Sequence, residues 1–270
     1  MGFANILVSA DLGGAAPDRI GLAADLARRF AATLTGVAAH PLPVPILVND
    51  IEAAVAHLQQ NADRIGRLLD EARDVFERCA GPRLRTAWNA AFADPIAHLV
   101  ACGCAADLVV VGRCGSDDTD AGPLGVRPGP TVMEAGRPVL VVPPGARHLK
   151  GARILVAWKD CPETRRAVSA ALPCLRVADH VLVATVGDNG RGGPAEAVAE
   201  HLARHGARVT THSLRTRGRA GDALIDFAER QDADLIVLGA YGHSRLREWI
   251  LGGVTHDLLD RSPVCCLMSH

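Results

Sequence analysis

The feature that most narrows what this chain can become is that it reads twice. The apolar run Ile6-Leu7-Val8-Ser9-Ala10-Asp11 is answered by Ile154-Leu155-Val156-Ala157-Trp158-Lys159. Further on, Ala106-Asp107-Leu108-Val109-Val110-Val111-Gly112 is answered by Ala233-Asp234-Leu235-Ile236-Val237-Leu238-Gly239. Each half then closes on a Pro-led apolar run, Pro138-Val139-Leu140-Val141-Val142 and Pro263-Val264-Cys265-Cys266-Leu267-Met268. Three anchors in the same order mark a duplicated folding unit. A chain of 270 residues also has the length of two domains at roughly 100–200 residues each. The expected division is 1–145 and 149–270, with the turn-rich joint Pro143-Pro144-Gly145-Ala146-Arg147-His148 between them.

Within each half, short continuous apolar runs alternate with amphipathic stretches. Half one reads as strands over 4–10, 34–40, 83–90, 107–112 and 138–142. Its helices fall over 17–33, 49–79, 94–103 and 126–135. Half two repeats the pattern with a shorter second helix, over 194–205. Continuously apolar strands belong to a parallel sheet covered on both faces. Aromatic residues are only 3% of the chain while 49% is apolar, so Ala, Val and Leu must fill the core. The expected fold is α/β: two tandem, doubly wound, five-stranded parallel-sheet domains with right-handed crossovers. Ligands of such sheets bind at the carboxyl ends of the strands where the winding reverses. That rule points to the segments after residues 10, 112, 158 and 238.

One of those segments carries a pattern. Gly239-x2-Gly242-x9-Gly252 is followed by Gly253, Val254 and Thr255, after a strand and before a helix. Glycines there let the backbone turn and approach a ligand closely, and the helix start offers free N–H groups to an anion. Placed before the last strand of an α/β domain, the pattern resembles the ATP-binding signature of the universal stress protein family. The resemblance extends over the whole chain as two copies. It implies the adenine-nucleotide-hydrolase-like fold of that family and a cytoplasmic stress-response regulator or sensor. It also implies an internal pseudo-dimer made through the terminal strands, and a homodimer beyond it. The implied ligand is an adenine nucleotide, ATP with or without Mg. Gly239 and Gly242 would line the triphosphate path, and Gly252, Gly253, Val254 and Thr255 would contact phosphate and ribose. Ala157 and Lys159 at the end of the first strand, and His243 after the second loop glycine, complete the implied set.

Two positions depart from the family pattern. Gly253 stands where a hydroxyl residue is usual, so one donor is lost. Lys159 stands where ATP-binding members often carry Asp, and an ammonium has no acceptor to offer a nucleotide. Lys159 is either a phosphate ligand or a solvated loop residue. Half one departs the other way. Asp11 occupies the expected acidic position, either as a ligand acceptor or as a cap of the turn and helix that follow. Gly112, Gly115 and Gly125 keep the spacing, but Asp117, Asp118 and Asp120 crowd between them and would repel a triphosphate. Pro128 and Pro130 have no N–H to donate.

Other chemistries find little support. A net charge of −1 gives no basic footprint for nucleic acid. No apolar run reaches the roughly 18–20 residues of a membrane span, and the start reads as a strand and a Gly-rich turn rather than a leader. Eight cysteines without a CxxC pair read as reduced thiols packed in the core, Cys102 and Cys104 included. No carboxylate is placed to complete a Ser–His triad, so no catalytic residue is assigned and any ATPase activity would be weak. His201 and His205 share a helix face but lack a metalloprotease signature, and no metal site is assigned. Arg215, Arg217 and Arg219 form a short basic run beside the strand-end face. The charges of the long helix of half one, at i,i+3 and i,i+4 spacing, describe an exposed and self-supporting face. A scaffold or chaperone-like interaction protein that binds no nucleotide is the alternative function.

Overall fold

The computed structural model describes residues 2–43, 51–116, 118, 122–187, 193–242 and 253–270. The first half runs β1 (Asn5–Ser9), α1 (Ala16–Phe30), β2 (Thr33–Ala39), α2 (Ile51–Ala80), β3 (Thr86–Ala91), α3 (Pro95–Cys102), β4 (Leu108–Gly112), α4 (Pro128–Glu134) and β5 (Val139–Val142). The second runs β6 (Arg153–Ala157), α5 (Pro162–Leu175), β7 (His180–Val186), α6 (Pro194–Arg204), β8 (Val209–Leu214), α7 (Ala220–Arg230), β9 (Leu235–Gly239), α8 (Val254–Arg261) and β10 (Cys265–Ser269).

All ten strands lie in one sheet, in the order β3-β2-β1-β4-β5-β10-β9-β6-β7-β8. Inside each half every pairing is parallel. The halves meet at β5 and β10, which pair antiparallel with Leu140 opposite Leu267. Two five-stranded doubly wound sheets are thus fused edge to edge, and the pseudo-dimer contact falls on the closing strands of each copy.

Strand alternation sorts the core into two layers. Ile6, Val8, Val110, Val156, Val237 and Leu267 face one side, where α1, α2, α5 and α6 cover them. Leu7, Val109, Val111, Leu155, Ile236 and Met268 face the other, covered by α3, α4, α7 and α8. Both faces are dry, which is why these strands read as unbroken apolar runs.

The long helix α2 buries Ile65, Leu69, Ala72, Phe76 and Ala80, at three- and four-residue spacing, while none of residues 51–64 is buried. Phe76 lies against Trp88 of β3 with ring centroids 5.6 Å apart. Gly36 of β2 makes room for both: a Cβ there would come within 2.7 Å of Phe76 and 2.8 Å of Trp88.

The cysteine expectation needs a correction. Cys161, Cys174, Cys265 and Cys266 are buried, but Cys104 and Cys114 are exposed and Cys102 is half-buried. The chain turns out of α3 through a 3-10 turn at Gly103–Ala105, which carries Cys104 to the surface.

Candidate functional site

The winding of the second half reverses between β6 and β9. These strands are neighbours, yet the helix after β6 lies on one face and the helix after β9 on the other. The segments that leave their carboxyl ends therefore diverge, and a cleft of about 980 Å³ lies between them. Its floor is Ala157, Ala184 and Leu238, the ends of β6, β7 and β9. Its walls are helix beginnings: Cys161 and Thr164 of α5, Gly193 to Glu196 of α6, Ala220 of α7, and Val254 and Thr255 of α8. None of these four helices has a side chain capping its N-terminus. Their first-turn N–H groups lack intrahelical partners, and each helix start carries a partial positive charge toward the cleft.

Ala157, Lys159, Gly239, Gly242, Val254 and Thr255 share this cleft. Gly253 is the N-cap of α8, at φ −66° and ψ 159°, a conformation any residue adopts. Gly252 and His243 lie outside the described residues. Gly239 and Gly242 are accounted for by packing. A Cβ on Gly239 would strike the backbone of Thr164, and one on Gly242 would sit 2.7 Å from Glu163 Oε2. Absence of side chains at both positions brings the loop down onto the start of α5. Between them Tyr241 takes a left-handed φ of 57°, and its N–H points to Thr255 Oγ1 at 3.4 Å. The Thr255 hydroxyl, nearly inaccessible, thus ties the glycine loop to the first turn of α8.

Lys159 is exposed and has no ion pair or hydrogen bond with another described residue. Next to it, Asp160 is held by Arg165 at 2.5 Å. The Glu163 carboxyl is kept below the usual carboxylate range by its own backbone N–H, with help from Cys161 and Arg166 against the opposing effect of burial.

Sequence reasoning missed the far end of the cleft. Thr185 of β7 and Thr211, His212 and Ser213 of β8 line it. Burial, assisted by the charge of His180, lowers the His212 pKa. Thr210 Oγ1 bridges the two rings at 2.9 Å to each. The polar run Thr210-Thr211-His212-Ser213 in an otherwise apolar repeat was the available signal.

The matching place in half one is filled from within. Asp11 is buried and ion-paired with Arg19 at 2.6 Å, with side-chain exposures of 4% each. It also accepts the Gly13 N–H at 3.0 Å, so it caps its own turn. Arg19 also donates to Ser9 O through Nε and Nη2. A Cβ on Gly112 would lie 2.6 Å from Arg19 Nη1. Gly112 therefore stands to Arg19 as Gly239 stands to Thr164. Where half two has the short hydroxyl side chain of Thr164, which lines the cleft, half one has a guanidinium. Leu124, 1% exposed, closes the rest by packing with Ile65, Leu69 and Ala72 of α2 and Ala38 of β2.

The acidic loop of half one has a different neighbour from the one its charge suggested. Asp117, Thr119, Asp120 and Ala121 lie outside the described residues. Asp118 is forked by Arg113, at 2.5 and 2.9 Å, and accepts the Gly115 N–H at 2.6 Å. The loop turns toward the second half, where Arg113 donates to Ser262 O at 2.8 Å and the Ser116 N–H to Asp260 Oδ1 at 2.7 Å. No group of three or more His, Cys, Asp or Glu able to hold a metal occurs among the described residues. His201 and His205 stack edge to face on an exposed helix surface. No helix among them is long and apolar enough to cross a membrane.

Sheet order and cleft define a doubly wound, Rossmann-like α/β protein in two fused copies. Residues 152–270 match the model of the universal stress protein family. A universal stress protein of Synechocystis sp. is 25% identical over 167 residues, which cover 58% of this chain and 56% of that protein. The chain thus matches little more than half the length of that curated relative. The fold of the whole chain resembles that of a universal stress protein from Archaeoglobus fulgidus DSM 4304, with a TM-score of 0.71 at 17% identity. That match covers 97% of this chain and 94% of the other. A putative universal stress protein from Pseudomonas aeruginosa UCBPP-PA14 gives 0.54 at 20% identity, covering 98% and 92%. The likeness to these two structures concerns the fold.

Proposed function

We propose that the cleft of the second half binds an adenine nucleotide, with ATP the reference ligand, and that the protein acts as a cytoplasmic stress-response regulator or sensor. The observation that carries this reading is the convergence of four uncapped helix starts on one cleft at the switch point. Each contact between an anion and a helix start contributes roughly 0.3–1 kcal/mol, so four acting together hold an oligophosphate where one would not. Pro162 and Pro194 open α5 and α6 and give no N–H at that one position, so these two starts donate from the residues that follow. Lys159 adds an exposed cation at the cleft.

The donor set fits a nucleotide. Val254 and Thr255 would meet phosphate through backbone N–H groups, and Thr185, Thr211 and Ser213 offer hydroxyls to ribose or base. Trp158, whose Nε1 is buried without a hydrogen-bond partner among the described residues, is one of the residues lining the cleft. Bound ATP would bring phosphoryl chemistry to the site, but no described side chain is positioned as a dedicated base, and the reading is of binding rather than turnover.

A second reading rests on Lys159: without an acidic acceptor at the end of β6, the protein would be a scaffold that binds no nucleotide. The pairing of β5 with β10 uses up the closing strands inside the chain, so a homodimer would need another surface. Calorimetry with Mg-ATP tests the main reading. Saturable binding by the wild type, lost in Gly252→Val with Gly253→Val and weakened by Lys159→Glu, supports it. No binding by folded wild type sinks it and leaves the scaffold.

A further inference from the structure

The helix α8 has one end in the cleft of half two and the other in the grip of half one. At its N-terminus, Val254 and Thr255 line the cleft, and Thr255 Oγ1 receives the Tyr241 N–H. At its C-terminus, Asp260 accepts the Ser116 N–H and the carbonyl of Ser262 accepts from Arg113. Gly115 comes so close that a Cβ would collide with the carbonyl of Asp260. Arg113 can donate there because Asp118 holds its guanidinium in a two-bond fork, with exposures of 15% and 5%. The loop of half one that has the glycine spacing of a ligand loop is thereby made into a clamp on the opposite half.

Eight residues of α-helix span only about 12 Å and move as one body. On its sides α8 is fixed by Leu258 and Leu259 in the core and by the buried Asp257, which pairs with Arg219 at the start of α7. At its C-terminal end α8 is further held by Arg113 and the Ser116 N–H from half one, and by the pair of Arg261 with Asp222 of α7. A first turn displaced by even part of an ångström presents its N–H groups off the line of a bound anion, and hydrogen bonds weaken steeply with angle.

We propose that Arg113, Ser116 and Asp118 of the first half are positioning residues for the anion-binding turn of the second: they hold α8 by its C-terminus and so set the ligand affinity of a cleft none of them touches. The consequence for affinity rests on the reading of the cleft as a nucleotide site. The mechanical claim does not.

The experiment uses the full chain and two readouts. Amide hydrogen exchange is followed at Asp257, whose N–H bonds to Gly253 O, and at Tyr241. Mg-ATP binding is titrated in parallel. Arg113→Ala and Asp260→Ala should speed exchange at both reporters by roughly two- to tenfold, the worth of one hydrogen bond, and weaken binding by a similar factor. Asp260→Asn, which keeps an acceptor for Ser116, should restore both. Arg113→Lys replaces Arg113→Ala if the latter unfolds, and is expected to speed exchange because an ammonium cannot fork Asp118 and reach Ser262 together. Faster exchange confined to residues 113–118 and 260–262, with Asp257 and Tyr241 unchanged, overturns the proposal. If wild type binds no Mg-ATP, the nucleotide reading fails while the exchange data still decide the clamp.

Discussion

The two halves share a sheet order, a helix arrangement and a glycine at the end of the fourth strand, yet half two has a cleft there, and among the described residues of half one Asp11, Arg19 and Leu124 fill the matching place. The difference comes down to which side chain stands beside that glycine. Gly239 packs on the backbone and short hydroxyl side chain of Thr164, which lines the cleft, whereas Gly112 packs on the guanidinium of Arg19, which is ion-paired with Asp11. Half one keeps an acidic residue at the position a ligand would use, but has given it an internal partner. Half two has lost the acidic residue and keeps the space. With two copies in one chain, one was free to become support: its loop now holds α8 of the other.

The largest test of this contrast is the buried pair itself. Removing one member of a buried pair leaves an uncompensated charge and costs about 3–5 kcal/mol. Asp11→Ala should lose that much in denaturant unfolding. Lys159→Ala, at the matching exposed place, should change stability by less than about 0.5 kcal/mol. Equal costs would mean the two positions are not the functional opposites described here.

Next come the glycines. Gly239→Ala places a methyl against the Thr164 backbone and should cost about 1–3 kcal/mol. Gly112→Ala meets only the tip of a guanidinium and should cost less. The unfolding midpoints of the two variants compare them directly.

Transplanting the plug sharpens the contrast further. Thr164→Arg with Lys159→Asp rebuilds the pair of half one inside half two. A protein with wild-type melting but Mg-ATP binding weakened at least about tenfold, or about 1.4 kcal/mol, would show that the plug alone closes a cleft. Unchanged affinity would place the cause elsewhere, in Leu124 and α2.

The smallest effect concerns pH. Burial pushes Asp118 up, but the Arg113 fork and the Gly115 N–H outweigh it and hold the carboxyl below its ordinary 3.8. The Ser116 N–H does the same for Asp260. Groups depressed on folding contribute stability that is complete above the unfolded value and is lost as pH falls through the folded one. The clamp should therefore weaken only below about pH 4. The small difference in melting temperature between wild type and Asp260→Asn should shrink over that range and stay constant from pH 5 to 8.

The sequence carried the fold well because parallel strands buried on both faces leave a local mark, an unbroken apolar run, and duplication repeats that mark. Strand and helix boundaries came within a few residues, and the switch-point rule led to Ala157, Lys159, Gly239 and Gly242. Much of the cleft was less legible. Thr185, Thr211, His212 and Cys161 come from elements far apart in the chain, and nothing in their local pattern says that they face one space. The acidic loop was read from its charge as hostile to anions; in the folded protein Asp118 is taken up by Arg113 five residues before it.

By itself, then, the sequence determined two α/β copies, their strand patterns and the position of a glycine loop, since periodicity and backbone freedom are properties of neighbouring residues. The resemblance already implied a contact through the closing strands; only the tertiary structure decided that β5 and β10 pair antiparallel into one continuous sheet, that Arg19 reaches Asp11, and that the spare loop reaches the C-terminal end of α8. Each of these depends on which side chains meet across long stretches of chain, where a few ångströms of space separate a plugged cleft from an open one.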